Sequence, residues 1–380
     1  MNIAFFTDTY LPQINGVVTS IEIFRQTLEE KGHNVYIFCP QTEMGQKKAD
    51  PAYVFRFKSA KLFFQPEYRL SWPYSRALNK FKELNIDIIH THTPFTMGML
   101  AVFLAEKYKK PMVHTYHTLF MEYLHYLPIP TDYTKNFVTW GSKSFCNRNH
   151  LVIVPSKAIK NELLDYNVLA PIDIIPTGIN ITDYHKTQTA DIEEQYGIDT
   201  TKHDYLITIA RMGKEKNIMF LIDAFNKLKE SNPNLKFIMI GDGPQREEIE
   251  KKAEEYGILK DIIMTGYVTR DKIFPLLKLA KVFIFASKTE TQGLVILEAM
   301  SMKIPCVAIA SMGVNDVLED DNGGFLSPDD IEEYTNKVTM ILNDKELHAK
   351  KTEEAHQRAT HLSANKMTKK LIESYEQLLK

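Results

Sequence analysis

Short, unbroken apolar runs alternate with longer stretches of helical period, and the whole pattern occurs twice along the chain. In the first half the runs are Asn2 to Phe6, Asn34 to Phe38, Ile86 to Ile89, Pro111 to His114 and Leu151 to Val154. Ile21 to Leu28 and Met97 to Tyr108 carry helical periodicity between them. Runs without polar alternation belong to strands buried on both faces, and such strands build parallel sheets covered by crossover helices. After a Pro/Gly/Asp-marked stretch from Pro176 to about Gly197 the pattern restarts. New strands are predicted at Tyr205 to Ile209, Lys236 to Ile240, Ile262 to Met264, Val282 to Ala286 and Pro305 to Ala308. Helices are predicted at Ile218 to Leu228 and Gln245 to Glu255. The chain has 380 residues, and at roughly 150 residues per domain two domains are expected. Two α/β domains of Rossmann-like βαβ build, joined by one linker, place a cleft between their strand C-termini, where open α/β sheets bind ligands. The expected divisions are a first domain over 1–178, a linker over 179–200, a second domain over 201–360 and a final helix over 361–380. That helix carries Met367, Leu371, Tyr375 and Leu378 on one face, with Ser363 as N-cap.

Several classes of protein are excluded early. The longest apolar stretch, Met97 to Ala105, is far shorter than the roughly 18 to 20 residues that span a bilayer. Met1-Asn2 offers no basic start to a signal peptide, so a cytoplasmic protein is expected. The three cysteines, Cys39, Cys146 and Cys306, form no CxxC pair, which suits a reducing compartment. The net charge of −2 conceals an asymmetry: residues 1 to 180 hold 19 basic against 15 acidic side chains, and the rest hold 27 against 33. A net of +4 on one half and −6 on the other suggests that the basic half meets an anionic surface.

The chemistry-bearing residues lie at predicted strand ends. Glu290 and Glu298 flank Gly293 just after the strand Val282 to Ala286. Glu298 falls in an almost wholly apolar helix, so it needs hydrogen-bond partners, from ligand hydroxyls or from neighbouring backbone. The helix start at Gly293-Leu294-Val295 offers free N–H groups suited to phosphate. Arg211 and Lys216 occupy the loop after the first strand of the second half; such a loop either grips phosphate oxygens or is simply basic and solvated. Gly16 stands between the first strand and first helix, and either serves a turn or lets a ligand approach the backbone. Gly241-Asp242-Gly243 lacks the third glycine of a dinucleotide fingerprint and is weak evidence for NAD. His90 and His92 share a strand face, and His114 and His117 lie at another strand end. Without nearby cysteine or an HExxH pattern no metal is expected, and structural histidines, or one touching a ligand, are the better reading.

Residues 55 to 82 interleave Lys58, Lys61, Arg69, Arg76 and other cations with Phe55, Phe57, Phe63, Phe64, Trp72 and Phe81, against the single acid Glu67. That composition suits an interface with anionic lipid, with a packed, partly solvated surface as the plain alternative. Asp132 to Arg148 repeats it more weakly. No nucleic-acid module accompanies these residues, so no nucleic-acid partner is expected.

Taken together, the ordered set resembles glycosyltransferase family 4, the retaining GT-B enzymes that use nucleotide sugars. The E-x7-E pair Glu290 and Glu298, in register with Arg211 and Lys216, carries the resemblance, and it covers essentially the whole chain. The segments Thr7-Asp8-Thr9-Tyr10-Leu11-Pro12, Asn15-Gly16-Val17-Val18-Thr19-Ser20 and His114-Thr115-Tyr116-His117-Thr118 look similar to the branch of bacterial 1,2-diacylglycerol 3-alpha-glucosyltransferases. Thr291-Gln292 departs from the glycine and aromatic residue found in much of the family, and the glycolipid branch is similar to this chain there.

The resemblance implies a set of roles. Arg211 and Lys216 hold the donor diphosphate, helped by Gly16 and the amides of Gly293, Leu294 and Val295. Glu298 binds the ribose hydroxyls, Glu290 contacts the sugar, Val268 lies in the segment that reads the base, and His117 lies beside the sugar and the acceptor hydroxyl. Lys58, Lys61, Phe63, Phe64, Arg69, Trp72 and Arg76 face the membrane. The final helix packs on the first domain. The expected activity is transfer of a hexose, glucose from UDP-glucose, onto diacylglycerol with retention, without a metal or other cofactor. It would take place at the inner face of the cell membrane. A family member with another sugar or acceptor, such as a mannosyltransferase, a GT-B UDP-sugar 2-epimerase, and a two-domain binding protein are the rivals.

Overall fold

In the computed structural model all residues are described except 14, 42–49, 62–68, 74–76, 120, 122–131 and 182–187. Two units emerge: Met1–Gly178 with Ala364–Lys380, and Ile179–Ser363.

The first unit contains strands β1 (Asn2–Phe6), β2 (Asn34–Pro40), β3 (Val54–Phe57), β4 (Ser59–Lys61), β5 (Arg69–Ser71), β6 (Ile88–Thr91), β7 (Met112–Thr115), β8 (Leu151–Val154) and β9 (Ile172–Ile174). Seven of them form a parallel sheet in the order β3-β2-β1-β6-β7-β8-β9, and β4 pairs antiparallel with β5. The order reverses between β1 and β6. Loops leaving the C-terminal ends of those two strands diverge to opposite faces, which opens a crevice at that point. Gly16 opens the helix after β1, His90 and His114 lie at the ends of β6 and β7, and His92 and His117 lie on the loops that follow.

The second unit contains β10 (Asp204–Ile209), β11 (Leu235–Ile240), β12 (Ile262–Gly266), β13 (Val282–Phe285), β14 (Cys306–Ile309) and β15 (Gly324–Ser327), all parallel, in the order β12-β11-β10-β13-β14-β15. Successive strand residues enter opposite apolar layers: Ile207, Ile238 and Phe283 one, Leu206, Phe237 and Ile284 the other. This is the double burial that unbroken apolar runs require. Here the order reverses between β10 and β13. The loops that follow these two strands carry Arg211 with Lys216, and Glu290.

Three expectations change. The stretch 179–200 is no free linker but part of the second unit. Its helix Ala190–Tyr196 ends at left-handed Gly197, and Ile192 and Ile198 are buried in the core. The final helix begins at Ala364, directly after Ser363, rather than at 361, and groups with the first unit. Much of the aromatic pattern at 55 to 82 is core rather than interface. Phe57 is fully buried on the edge strand β3, Phe81 is buried, and Phe55 stacks on Phe38 with centroids 5.0 Å apart. A strand added at the sheet edge needs large side chains to close the layer beneath it, and aromatics supply that area.

Candidate active site

The Arg211 loop is built by close backbone packing. Met212 N donates to Asp242 O (3.0 Å) and Gln245 N to Met212 O (3.0 Å). Gly241, with φ +128°, brings its α-carbon so near this loop that a Cβ would stand 2.0 Å from Ala210 O, and one on Gly243 would stand 2.5 Å from Met212 O. The Gly-Asp-Gly turn therefore supports the Arg211 loop, which is why it needs no third glycine. Arg211 itself is exposed and has no ion-pair partner among the described residues. Lys216, at the end of a short 3₁₀ turn over Lys214–Lys216, forms an ion pair with Glu290. Both side chains of that pair are largely buried. The two motifs, 74 positions apart, thus meet at one point.

Beyond Glu290 the chain turns through left-handed Gly293 (φ +84°) into the helix Leu294–Ser301. Gly313 packs against this turn: Gly313 N donates to Glu290 O (3.0 Å), and a Cβ there would stand 2.1 Å from Thr291 O. Glu298 is buried on the helix, as its apolar context predicted. Its Oε1 accepts from Arg270 Nη2 at 3.1 Å, a partner sequence reasoning missed. Arg270 opens the helix Arg270–Lys278 two residues after Val268, so the Val268 segment and Glu298 share a corner. Burial pushes the Glu298 carboxyl above its ordinary range, against the opposing pull of the Arg270 guanidinium. A signal was present: a basic residue two positions after Val268, in the same register of strand end and helix start.

In the first unit, Asn15 caps the helix Gly16–Glu30, accepting from Val18 N through its side chain. A Cβ at Gly16 would meet nothing within 4 Å, so none of the described residues accounts for the glycine. Asp8 is buried and accepts from Thr93 Oγ1 (2.6 Å), Thr96 Oγ1 (2.7 Å) and Met97 N (3.0 Å). It thereby ties the loop after β1 to the start of the helix Thr96–Tyr108. His117 follows β7, half-buried, with Nε2 3.0 Å from His92 Nδ1. Burial holds the imidazoles of His114 and His117 neutral, with pKa values lowered to about 3. His90 is enclosed, one ring nitrogen on Tyr375 Oη (2.5 Å) and the other on Thr115 Oγ1 (2.7 Å). Both lone positions of His90 are therefore spent inside the protein. The Tyr375 partner, 285 residues away, gave no sequence signal.

The expected membrane-facing set divides. Lys58, Lys61 and Trp72 are exposed. Arg69 is a correction: it is buried, donating from Nε to Ser59 Oγ (2.8 Å) and from Nη2 to Ser59 O (3.3 Å). Its guanidinium is used to hold β5 to β4, leaving none of it for a surface. Phe63, Phe64 and Arg76 lie outside the described residues. The second, weaker segment also presents aromatics. On the helix Asp132–Cys146, Tyr133, Phe137 and Trp140 are 85%, 69% and 64% exposed at i, i+4 and i+7 spacing, hence on one face. Among the described residues no helix is long and apolar enough to cross a membrane.

Over its whole length the fold is similar to the Anabaena protein HepE in complex with UDP and glucose (TM-score 0.77, 19% identity, 99% of this chain and 100% of that one). It is equally similar to sucrose-phosphate synthase of Thermosynechococcus elongatus (TM-score 0.78, 20% identity, 99% and 98%). The fold is GT-B. Residues 14–183 match Glycosyltransferase Family 4, and residues 189–358 match Glycosyl transferases group 1. The chain is 31% identical over 332 residues to the alpha-monoglucosyldiacylglycerol synthase of Streptococcus pneumoniae (86% of this chain, 75% of that protein). It is 32% identical over 341 residues to that of Acholeplasma laidlawii (86% and 84%). The chain belongs to glycosyltransferase family 4.

Proposed function

We propose that this glycosyltransferase moves glucose from UDP-glucose to diacylglycerol, with retention, at an anionic membrane surface. The observation that carries the reading is the pairing of Lys216 with Glu290 at the reversal point of the second sheet, beside Arg211, which has no ion-pair partner among the described residues. An uncommitted guanidinium, an ammonium and the helix start at Gly293, Leu294 and Val295 make a cradle for a diphosphate. Glu298, held at one oxygen by Arg270, keeps Oε2 for the ribose hydroxyls, with Val268 beside the base. Gly16, a glycine that no described neighbour demands, admits the phosphates to the backbone. The names of the pneumococcal and Acholeplasma relatives supply the sugar and the lipid acceptor.

Neither glutamate suits a double displacement. Glu290 is engaged with Lys216, and Glu298 is buried against Arg270. The acceptor hydroxyl then attacks from the face that the diphosphate leaves, within an ion pair. Arg211 and Lys216 stabilise the charge gathering on the departing diphosphate, the part a divalent cation plays elsewhere. His117, neutral at every working pH, hydrogen-bonds the sugar without adding charge. Lys58, Lys61 and Trp72, together with the aromatic face of the helix Asp132–Cys146, rest on the lipid surface from the cytoplasmic side.

Incubation with a panel of nucleotide sugars and mixed acceptors, with products identified by mass spectrometry and anomeric NMR, tests this. An α-glucosyl diacylglycerol and UDP are expected. An epimerised nucleotide sugar, a β product or exclusive use of a soluble acceptor would overturn the corresponding part.

A further inference from the structure

Beneath His117 lies a column of buried rings that the transfer chemistry does not use. His90 and His92 are almost wholly enclosed. Their rings stack at 4.4 Å and 26°, and His92 stacks on His117 at 5.3 Å and 23°. Phe5 closes the side of the column edge-on, 5.2 Å from His90 and 4.6 Å from His92. At its foot, Tyr375 of the helix Ala364–Leu379 and Thr115 take both nitrogens of His90. Higher up, only one contact of His92 is polar: its Nδ1 stands 3.0 Å from His117 Nε2. Among the described residues His92 Nε2 is buried without a partner.

Those facts assign the protons. Burial disfavours the charged form of both rings, and a neutral imidazole has one N–H donor and one acceptor nitrogen. Between the two nitrogens that face each other, one donates and one accepts. A buried N–H without a partner is the rarer and costlier orphan, whereas a bare acceptor is better tolerated. The proton of His92 therefore sits on Nδ1 and is donated to His117 Nε2. His117 must then carry its own proton on Nδ1, because the hydrogen bond at one ring nitrogen decides the state of the other.

We propose that His92 is a positioning residue that fixes His117 as the Nδ1–H tautomer and clamps its ring, with the Tyr375–His90 pair holding His92 in turn. His117 then offers a hydrogen-bond donor, and its Nε2 takes no proton from substrate. The kinetic part of this inference rests on the placement of His117 at the sugar; the tautomer does not.

The test uses the full chain labelled with ¹⁵N at histidine. Long-range ¹H–¹⁵N spectra separate the two tautomers, and His117→Gln assigns the His117 signals. The wild type is expected to show His117 as Nδ1–H. His92→Phe, which keeps a ring in the stack but has no donor, is expected to release His117 to the Nε2–H form. His92→Asn, whose amide reaches the position of Nδ1, is expected to restore the Nδ1–H form. In turnover, His92→Phe is expected to lower kcat by roughly 10- to 100-fold, the usual effect of losing a supporting partner, with donor KM within about twofold. His92→Asn should recover most of that loss. Nε2–H on His117 in the wild type, or the same His117 spectrum in His92→Phe, overturns the proposal. Thermal unfolding of both variants shows whether a loss of rate is merely a loss of fold, since the Asn variant removes the stacking ring and yet is expected to be the faster. Wild-type turnover in His117→Ala would remove His117 from the sugar site and leave the spectra to decide on His92.

Discussion

The ion pair between Lys216 and Glu290 makes an unusual demand on donor binding. If Lys216 grips the diphosphate, the nucleotide must compete with Glu290 for the same ammonium. Replacing Glu290 by Gln removes the competitor and leaves the shape of the side chain unchanged. The side chains are 18% and 20% exposed. Such a pair lies between an exposed ion pair at about 0 to 1 kcal/mol and a buried charge-assisted hydrogen bond at about 1.5 to 3 kcal/mol. Release of Lys216 is therefore worth about 1 to 2 kcal/mol to an incoming diphosphate. At 1.4 kcal/mol per factor of ten, UDP should bind E290Q roughly 5- to 30-fold more tightly than wild type. Turnover should move the other way. A carboxylate lost from the sugar ring forfeits a charge-assisted hydrogen bond, so kcat should fall roughly 10- to 100-fold. Titration calorimetry with UDP and steady-state kinetics on one preparation read both. Unchanged or weaker UDP binding in E290Q would refute the competition, and K216M, which removes the contested group, must bind UDP more weakly than wild type. An ordinary supporting salt bridge would give the opposite pattern, with affinity and turnover falling together.

Three further outcomes are expected. Glu298 has a folded-state pKa raised by burial, so its contribution to stability is fully present below the unfolded value near 4.5 and is lost as pH rises through the folded value. E298Q should therefore gain stability relative to wild type between pH 4 and 7 in denaturant titrations, while binding UDP roughly tenfold or more weakly. The buried histidines have the reverse sign. With folded pKa values depressed, to about 3 for His114 and His117, they support the fold above the unfolded value of about 6.5, and that support is lost as pH falls towards 3. Unfolding near pH 5 should take up about one proton per buried histidine, and H114N should lower that uptake by about one in the pH dependence of the unfolding free energy. Finally, replacing Tyr133, Phe137 and Trp140 together by Ser should leave thermal unfolding within a few degrees of wild type, because all three are exposed. Flotation with anionic vesicles should weaken about 1,000-fold or more, at roughly 1.5 kcal/mol or above per buried aromatic. Undiminished flotation would remove that helix from the interface.

What could be read in the sequence was what depends on near neighbours. Both sheets were visible because each strand buried on two faces leaves an unbroken apolar run, and Arg211, Glu290 and Gly16 were legible at strand ends, which the strand order puts at the two reversal points. Glu298 was recognised as a buried carboxylate from its apolar helix alone. The residues that escaped are joined over long separations. Tyr375 meets His90 from 285 residues away, with the whole second unit between them in sequence, and Arg270 reaches Glu298 from the end of a different strand. No periodicity records such meetings. In the segment 55 to 82 Arg69, Phe57 and Phe81 are buried while Lys58, Lys61 and Trp72 are exposed, because composition reports which residues are present but not which way a strand turns them. Phe55 and Phe57 pack against Phe38 because β3 closes the edge of the sheet, while the weaker pattern at 132 to 148, with spacing i, i+4 and i+7, was a true amphipathic face. Spacing is a statement about direction, and composition is not. That difference is why the proposed lipid contact draws on the aromatic face of the helix Asp132–Cys146 as well as on Lys58, Lys61 and Trp72. In the proposed membrane-bound state the +4 of the first half would attract an anionic surface over the range of a Debye length, about 8 Å at physiological salt, and the helix aromatics would supply the short-range adhesion.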